Sequence, residues 1–389
     1  MRPEHKRLFI AGVVLTVLVG VSVLALSLRR PEPLYQGRPL SAWAKDLNSP
    51  DPAVRSQAGE ALRDMGPEAV PILVKSLRTR NWIRELHLKI APRFSIGLRQ
   101  KLWPHFRSFY APMERADAAR GLEALGPGAE AAVPALGKAL RDRDRSVASQ
   151  ATVALGRIGP AAVSELIGAL DEADPSVRSL ACSALGTIGP RAARAVPALL
   201  EVFKSTERSL PQQASFALTR IGPSAVPALV VALRHPIPRV RALAASTLGS
   251  MGLPAKEAVP ALLERLKDDQ ASVREKVIGA LGTIMPVAQG VAPALVDTLQ
   301  DPEPAVRLSA LQALLRTGQA SDRCLPRLVA LLEDEDSKVR GWSAHLLGQM
   351  GSKASSAIPA LERKLEDRSE FVSEKAQQAL QKIRTPAAK

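Results

Sequence analysis

The stretch DPSVRSLACSALGTIGPRAARAVPALLEVF, residues 174 to 203, decides how this chain folds. Asp174-Pro175 opens it with a carboxylate that can cap free N–H groups and a residue whose φ suits the first turn of a helix. Val177, Ala181, Ala184, Leu185 and Ile188 follow at helical spacing, and Gly189-Pro190 ends the run. Val196 to Phe203 then reads as a second, shorter helix with its proline at the start, where few N–H groups are bonded. Such a hairpin has too little apolar surface to stand alone, so it has to stack.

Versions of this unit recur from residue 40 to the C-terminus. Taking Arg178 as anchor, the equivalent positions are Arg55, Arg115, Ala148, Pro211, Arg241, Arg274, Arg307, Arg340 and Ser373. In chain order the spacings are 60, 33, 30, 33, 30, 33, 33, 33 and 33. The 30-residue steps lack three residues that the longer units insert after the Gly-Pro, as a comparison of residues 159–163 with 189–196 shows. A fixed period in this range means stacked supersecondary units.

The pattern D-x-x-V-R-x-x-A-x-x-A-L-G-x-I-G-P…A-V-P-A-L resembles HEAT repeats, in the compact variety known as phycobilisome-lyase HEAT-like repeats. Asp174, Val177, Arg178, Ala181, Leu185, Gly186, Gly189 and Pro190 carry the resemblance, which covers residues 40–384 apart from one insertion. It implies an all-α fold, a right-handed α-solenoid (superhelix) of about ten HEAT-like hairpins, in which Asp and Arg residues link neighbouring turns. It also implies a protein-binding role and names no reaction. On this expectation Arg178 faces Asp144 or Asp174.

Residues 8–28, LFIAGVVLTVLVGVSVLALSL, carry no charge. Twenty-one residues at 1.5 Å each give about 31 Å, enough to cross a bilayer. A transmembrane anchor is the expectation, because the run is longer than the apolar core of a signal peptide; cleavage after Val23-x-Ala25 is the alternative. Basic residues flank both ends, and the short tail 1–7 most simply stays in the cytoplasm, placing the repeats outside it. Gly12, Thr16 and Gly20 share one face, a spacing that lets two such helices approach but is also common without meaning. Residues 29–39 read as a linker, after which Ser41 can cap the first repeat helix and Trp43 can cover the open end of the stack.

The second unit is interrupted by residues 78–111, which hold eight basic residues against Glu85 and six of the chain's thirteen aromatics. Beyond residue 111 the excess is only five positive charges (35 basic, 30 acidic), so the +15 net charge is concentrated in this insertion and at the anchor and is no general nucleic-acid signature; a nucleic-acid partner is not expected. Trp82, Arg84, Arg99, Lys101, Trp103 and Arg107 suit anionic lipid or a protein partner. Packing of the aromatics on the repeat edge explains them as well.

No cofactor, metal or catalytic site can be assembled from sequence. His5, His87, His105, His235 and His345 are scattered, and no His-Glu pair occurs, unlike the iron-binding pairs of the HEAT-like deoxyhypusine hydroxylases. Glu333-Asp334-Glu335-Asp336 reads as a solvated acidic turn. Cys182 and Cys324, several units apart, read as small buried fillers. The leading functional expectation is a membrane-tethered scaffold gripping a protein on the concave wall; a lyase- or hydroxylase-type activity and a purely structural membrane subunit are the alternatives. Five residues after each anchor come Glu60, Arg120, Val153, Ser183, Phe216, Ser246, Gly279, Gln312, His345 and Gln378, and two after it Leu180, Leu243 and Trp342. Leu180, Ser183, Phe216, Leu243, Ser246, Gln312, Trp342 and His345 are the candidate protein-binding residues. The competing expectation turns Phe216 and Leu243 inward between layers.

Overall fold

In the computed structural model, residues 33–78, 115–284, 291–318 and 322–385 are described. The anchor segment 8–28 and the insertion residues Trp82, Arg84, Arg99, Lys101, Trp103 and Arg107 lie outside them. The chain divides into two compact units, Met1–Glu165 and Leu166–Lys389.

The first unit begins with a two-residue antiparallel pairing of β1 (Leu34–Tyr35) and β2 (Arg38–Pro39). Helices α1 (Leu40–Asp46), α2 (Pro52–Met65), α3 (Val70–Arg78), α4 (Arg115–Leu125), α5 (Val133–Ala139) and α6 (Arg145–Ile158) follow. Helix α7 (Val163–Leu170) contains the boundary. In the second unit long helices alternate with short ones. The long ones are α8 (Pro175–Ile188), α10 (Leu210–Ile221), α12 (Pro238–Met251), α14 (Ala271–Ile284), α16 (Pro304–Thr317), α18 (Ser337–Gln349) and α20 (Glu370–Arg384). The short ones are α9 (Val196–Val202), α11 (Val226–Ala232), α13 (Val259–Arg265), α15 (Val291–Asp297), α17 (Leu325–Leu331) and α19 (Ile358–Arg363). Within the described part of residues 40–384 every regular element is helical.

Local chemistry explains the boundaries. Asp51, Asp144, Asp174 and Asp336 cap the long helices by accepting from backbone N–H groups two residues on. The turn before α12 has no acid there and no side-chain cap; His235 Nδ1 accepts from the N–H of the N-cap residue Ile237 itself, at 3.1 Å. Each long helix of the Gly-Pro type stops at a glycine with positive φ, such as Gly189 at 66°, where any Cβ would be strained. The three-residue difference between unit lengths is a 3-10 segment: Pro160–Ala162 in the shorter unit, Gly189–Ala195 with a kink at Ala192 in the longer.

Alanine, leucine and valine fill the layers, and both cysteines are fully buried among them. The Leu-Gly pairs set helix spacing: a Cβ on Gly249 would lie 2.8 Å from Ala280 Cα, and one on Gly348 2.8 Å from Ala379 Cα. Outward, α20 exposes Glu374, Gln377, Gln381 and Lys382, the polar cap expected of a last repeat.

Two expectations at the N-terminal end need correction. The segment before the repeats is more than a linker: β1–β2 folds over Trp43, which is 2% exposed. Its indole N–H donates to Tyr35 O at 3.2 Å, and the Arg38 guanidinium lies 4.1 Å from its ring. Ser41 does not cap α1 either, because the helix already starts at Leu40 and its N-cap is Pro39.

Candidate protein-binding face

Two features of the long helices bear on function: an arginine ladder that fixes their stacking, and the side chains they leave facing solvent.

The anchor arginines reach forward to the following turn. Arg274 Nε and Nη2 donate to Asp301 at 2.7 and 2.8 Å, and Arg340 binds Asp367 in the same bidentate way at 2.9 and 2.8 Å. Arg241–Asp268 repeats this, Arg307 donates to Asp334 through Nη2 at 2.8 Å, and Arg115 pairs with Asp142. Each acid lies 27 residues after its arginine. The same acid also accepts the N–H two residues on, as Asp301 does from Glu303 at 3.0 Å. The anchor's Nη1 meanwhile binds carbonyls five and six residues back, for example His235 and Pro236 by Arg241, both at 3.1 Å. Every rung thus ties one turn to the next. These carboxylate bonds hold the Arg241, Arg274, Arg307 and Arg340 guanidiniums above their ordinary value, against the opposing effect of burial.

Arg178 departs from the expectation. It pairs with Glu207 on the next turn and with Glu172 O, not with Asp144 or Asp174, since Asp174 is occupied as the N-cap of α8. Asp334 is likewise no solvated residue of its acidic turn: its side chain is 5% exposed and holds Arg307. Where Pro211 takes the anchor slot, Arg239 from the next long helix donates to the carbonyls of Phe203, Lys204 and Ser205. Sequence reasoning missed Arg239, although a missing anchor beside an extra arginine was the available signal.

The solvent face of the second unit carries the sequence-derived candidates. Phe216 on α10 is 62% exposed, so it does not turn inward; its ring edge lies over Gly186 of α8, 3.8 Å from where a Cβ there would stand. Leu180 and Leu243 are half-buried on the neighbouring long helices, with Ser246 half-buried and Ser183 exposed. Beside Phe216, Ser215 and Thr247 share a 2.7 Å hydrogen bond that joins α10 to α12. Further along, Gln312 is half-buried on α16. Trp342 and His345, both half-buried on α18, form an edge contact with centroids 5.5 Å apart. Burial, helped by Lys382 and Lys375, holds His345 below its ordinary pKa. Val153 of the same column, on α6 in the first unit, is 39% exposed. The candidates therefore separate into an apolar patch around Phe216 and an aromatic one at Trp342.

The family model described as HEAT repeats matches residues 110–186, 133–218, 196–282, 259–340 and 292–381. Among solved structures, the karyopherin Kap121p bound to the extreme C-terminus of the protein phosphatase Cdc14p is 13% identical over 90% of this chain and 42% of its own, with a TM-score of 0.58. Kap121p bound to Nup53p gives a TM-score of 0.55 at the same identity and coverage. The complex of CpcE and CpcF of phycocyanin lyase from Nostoc sp. PCC7120 is 24% identical over 57% of this chain and 94% of its own, with a TM-score of 0.33. The likeness to Kap121p is one of fold, and the chain spans 42% of that protein. No curated protein matches the chain.

Proposed function

The chain belongs to the HEAT-repeat family, and on that premise we propose that it is a protein-interaction scaffold, tethered to a membrane by residues 8–28, that holds a protein partner on the solvent face of its long helices. The observation that carries this reading is Phe216, a large apolar side chain 62% exposed on a face whose neighbours Leu180 and Leu243 are also partly open. Exposed apolar surface rimmed by polar residues, here Ser183 and Ser246, is the usual mark of a protein contact. Kap121p, which shares the fold, is a precedent in its complexes with Cdc14p and Nup53p. The role is binding rather than catalysis, in keeping with five scattered histidines and no His-Glu pair. The tail 1–7 stays cytoplasmic and the repeats lie across the membrane, and Trp82, Arg84, Arg99, Lys101, Trp103 and Arg107 have the composition to meet anionic headgroups.

A photo-crosslinking residue placed at position 216 in membranes of the native cell tests the reading. The control is position 231, where Val231 is 73% exposed on a short helix. Discrete adducts at 216, absent at 231 and lost on Leu180→Glu, are expected. Equal adducts at both positions refute the docking face, and release of the full chain by alkaline carbonate refutes the tether.

A further inference from the structure

We infer that the first unit carries a second binding site, an arginine-lined cleft built to take an acidic peptide segment. It shares no residue with the Phe216 face and stands or falls without it.

The cleft begins with a change in the repeat. Eight residues after the anchor, later long helices carry Gly186, Gly249, Gly282 and Gly348. Those glycines let the next helix approach until a Cβ would clash, as at Gly249 and Gly348. In α2 and α4 the same position holds Arg63 and Glu123. Where these two stand, α2, α4 and α6 line an open cleft of about 600 Å³. Arg55, Arg63, Arg120 and Arg157 converge on it, with Glu123 the only acid in its wall among the described residues and Leu125 in its apolar lining.

These arginines are not consumed as the ladder arginines are. Arg55 donates only to the carbonyls of Ser49 and Pro50, at 2.6 and 2.9 Å, and meets no carboxylate among the described residues. The Arg63 guanidinium folds over Gly59, 3.4 Å from where a Cβ would stand. Among the described residues the guanidiniums of Arg63 and Arg157 have no hydrogen-bonding partner, whereas that of Arg120 is held by Asp117 at 2.6 Å. Glu123 is half-buried; burial raises its pKa, and the charges of Arg157 and Arg120 oppose that rise. Four guanidiniums against Glu123 and Asp117 leave an excess of two positive charges around one cavity. Residues 78–111, within the same unit, bring no net negative charge, since they hold eight basic residues and one acid.

Guanidinium forks bind carboxylates in bidentate pairs. A cavity that mixes such forks with leucine, alanine and proline surface favours an acidic peptide bearing an apolar residue over a bare anion. Glu123 tempers the field, so the site selects for more than one negative charge.

The test uses the full chain in a non-ionic detergent and a fluorescent peptide of alternating glutamate and leucine, read by anisotropy. Binding that weakens with salt, and that falls at least ten-fold in the Arg63→Glu/Arg157→Glu double variant, is expected. Both side chains are exposed, so a circular-dichroism melt should match the parent. Glu123→Gln should tighten binding several-fold, which a merely structural role for that residue would not produce. Arg316→Glu, on α16 of the second unit, should change nothing. Equal binding of a glutamine–leucine peptide, or an unchanged affinity in the double variant, overturns the site. If vesicles containing phosphatidylglycerol bind through Arg63 and Arg157 while the acidic peptide does not, the peptide assignment is overturned in favour of lipid.

Discussion

Replacing Arg241 with methionine removes the most enclosed rung of the ladder. The Arg241 side chain is 9% exposed and its partner Asp268 1%, and two bonds of 2.8 and 2.7 Å join them. Asp269 adds a 2.6 Å bond but is 73% exposed, so it contributes little. Without the guanidinium, Asp268 keeps only the Gln270 N–H at 3.1 Å and Arg265 at 3.9 Å. Stranding one member of a buried pair costs about 3–5 kcal/mol, and the nearby Arg265 points to the lower end of that range. Arg178→Met is the internal reference: its partner Glu207 is 34% exposed, which predicts a loss of about 1 kcal/mol or less. Urea unfolding followed by far-ultraviolet circular dichroism reports the total. Because repeats stack through nearest neighbours, amide exchange in α12 and α14 should report the loss locally. The double variant Arg241→Met/Asp268→Leu should recover most of it, since the uncompensated charge is then gone. If Arg241→Met costs no more than Arg178→Met, burial does not set the strength of the rungs and the reasoning fails. Loss of partner binding with unchanged stability would make the arginines ligands instead of struts.

Acid should loosen the C-terminal repeats. The Arg340 bond holds Asp367 below the usual aspartate range, against a smaller opposing effect of burial. Its stabilisation is therefore complete above the unfolded value of about 3.9 and is lost as pH falls through the lower folded value. Thermal melts between about pH 5 and about pH 3 should show the decline, with a shallower slope in Asp367→Asn. Phe216→Ala should cost under about 1 kcal/mol and Phe203→Ala about 3–5, because the first ring is 62% and the second 0% exposed; equal losses in urea titrations would deny Phe216 its free surface. Burial pushes the Cys182 thiol up to about 12, and Cys324 is equally enclosed. A maleimide at about pH 8 should label neither cysteine until denaturant is added, since both are buried and, at Cys182, the reactive thiolate is disfavoured as well.

Much of this architecture was legible in the sequence because it is made by local interactions. Asp174 caps the amide of a residue two positions away, Gly189 takes the backbone conformation that ends the helix, and the 30- and 33-residue periods follow from one short 3-10 segment. Composition and alternation carried the burial of Val177, Leu185 and both cysteines for the same reason, since a helix turns every 3.6 residues whatever its neighbours are. Other features depend on how neighbouring hairpins stack, and no local pattern encodes that. Arg178 could reach several acids in principle, and only the stacking put Glu207 beside it and left Asp174 to its cap. Arg239 standing in for the anchor lost at Pro211, and β1–β2 closing over Trp43, are likewise contacts between elements. So is the fate of Phe216: its position in the period leaves both an inward and an outward ring open. The close approach of α8 and α10 at Gly186 leaves no room for the ring between them, and that puts it in solvent.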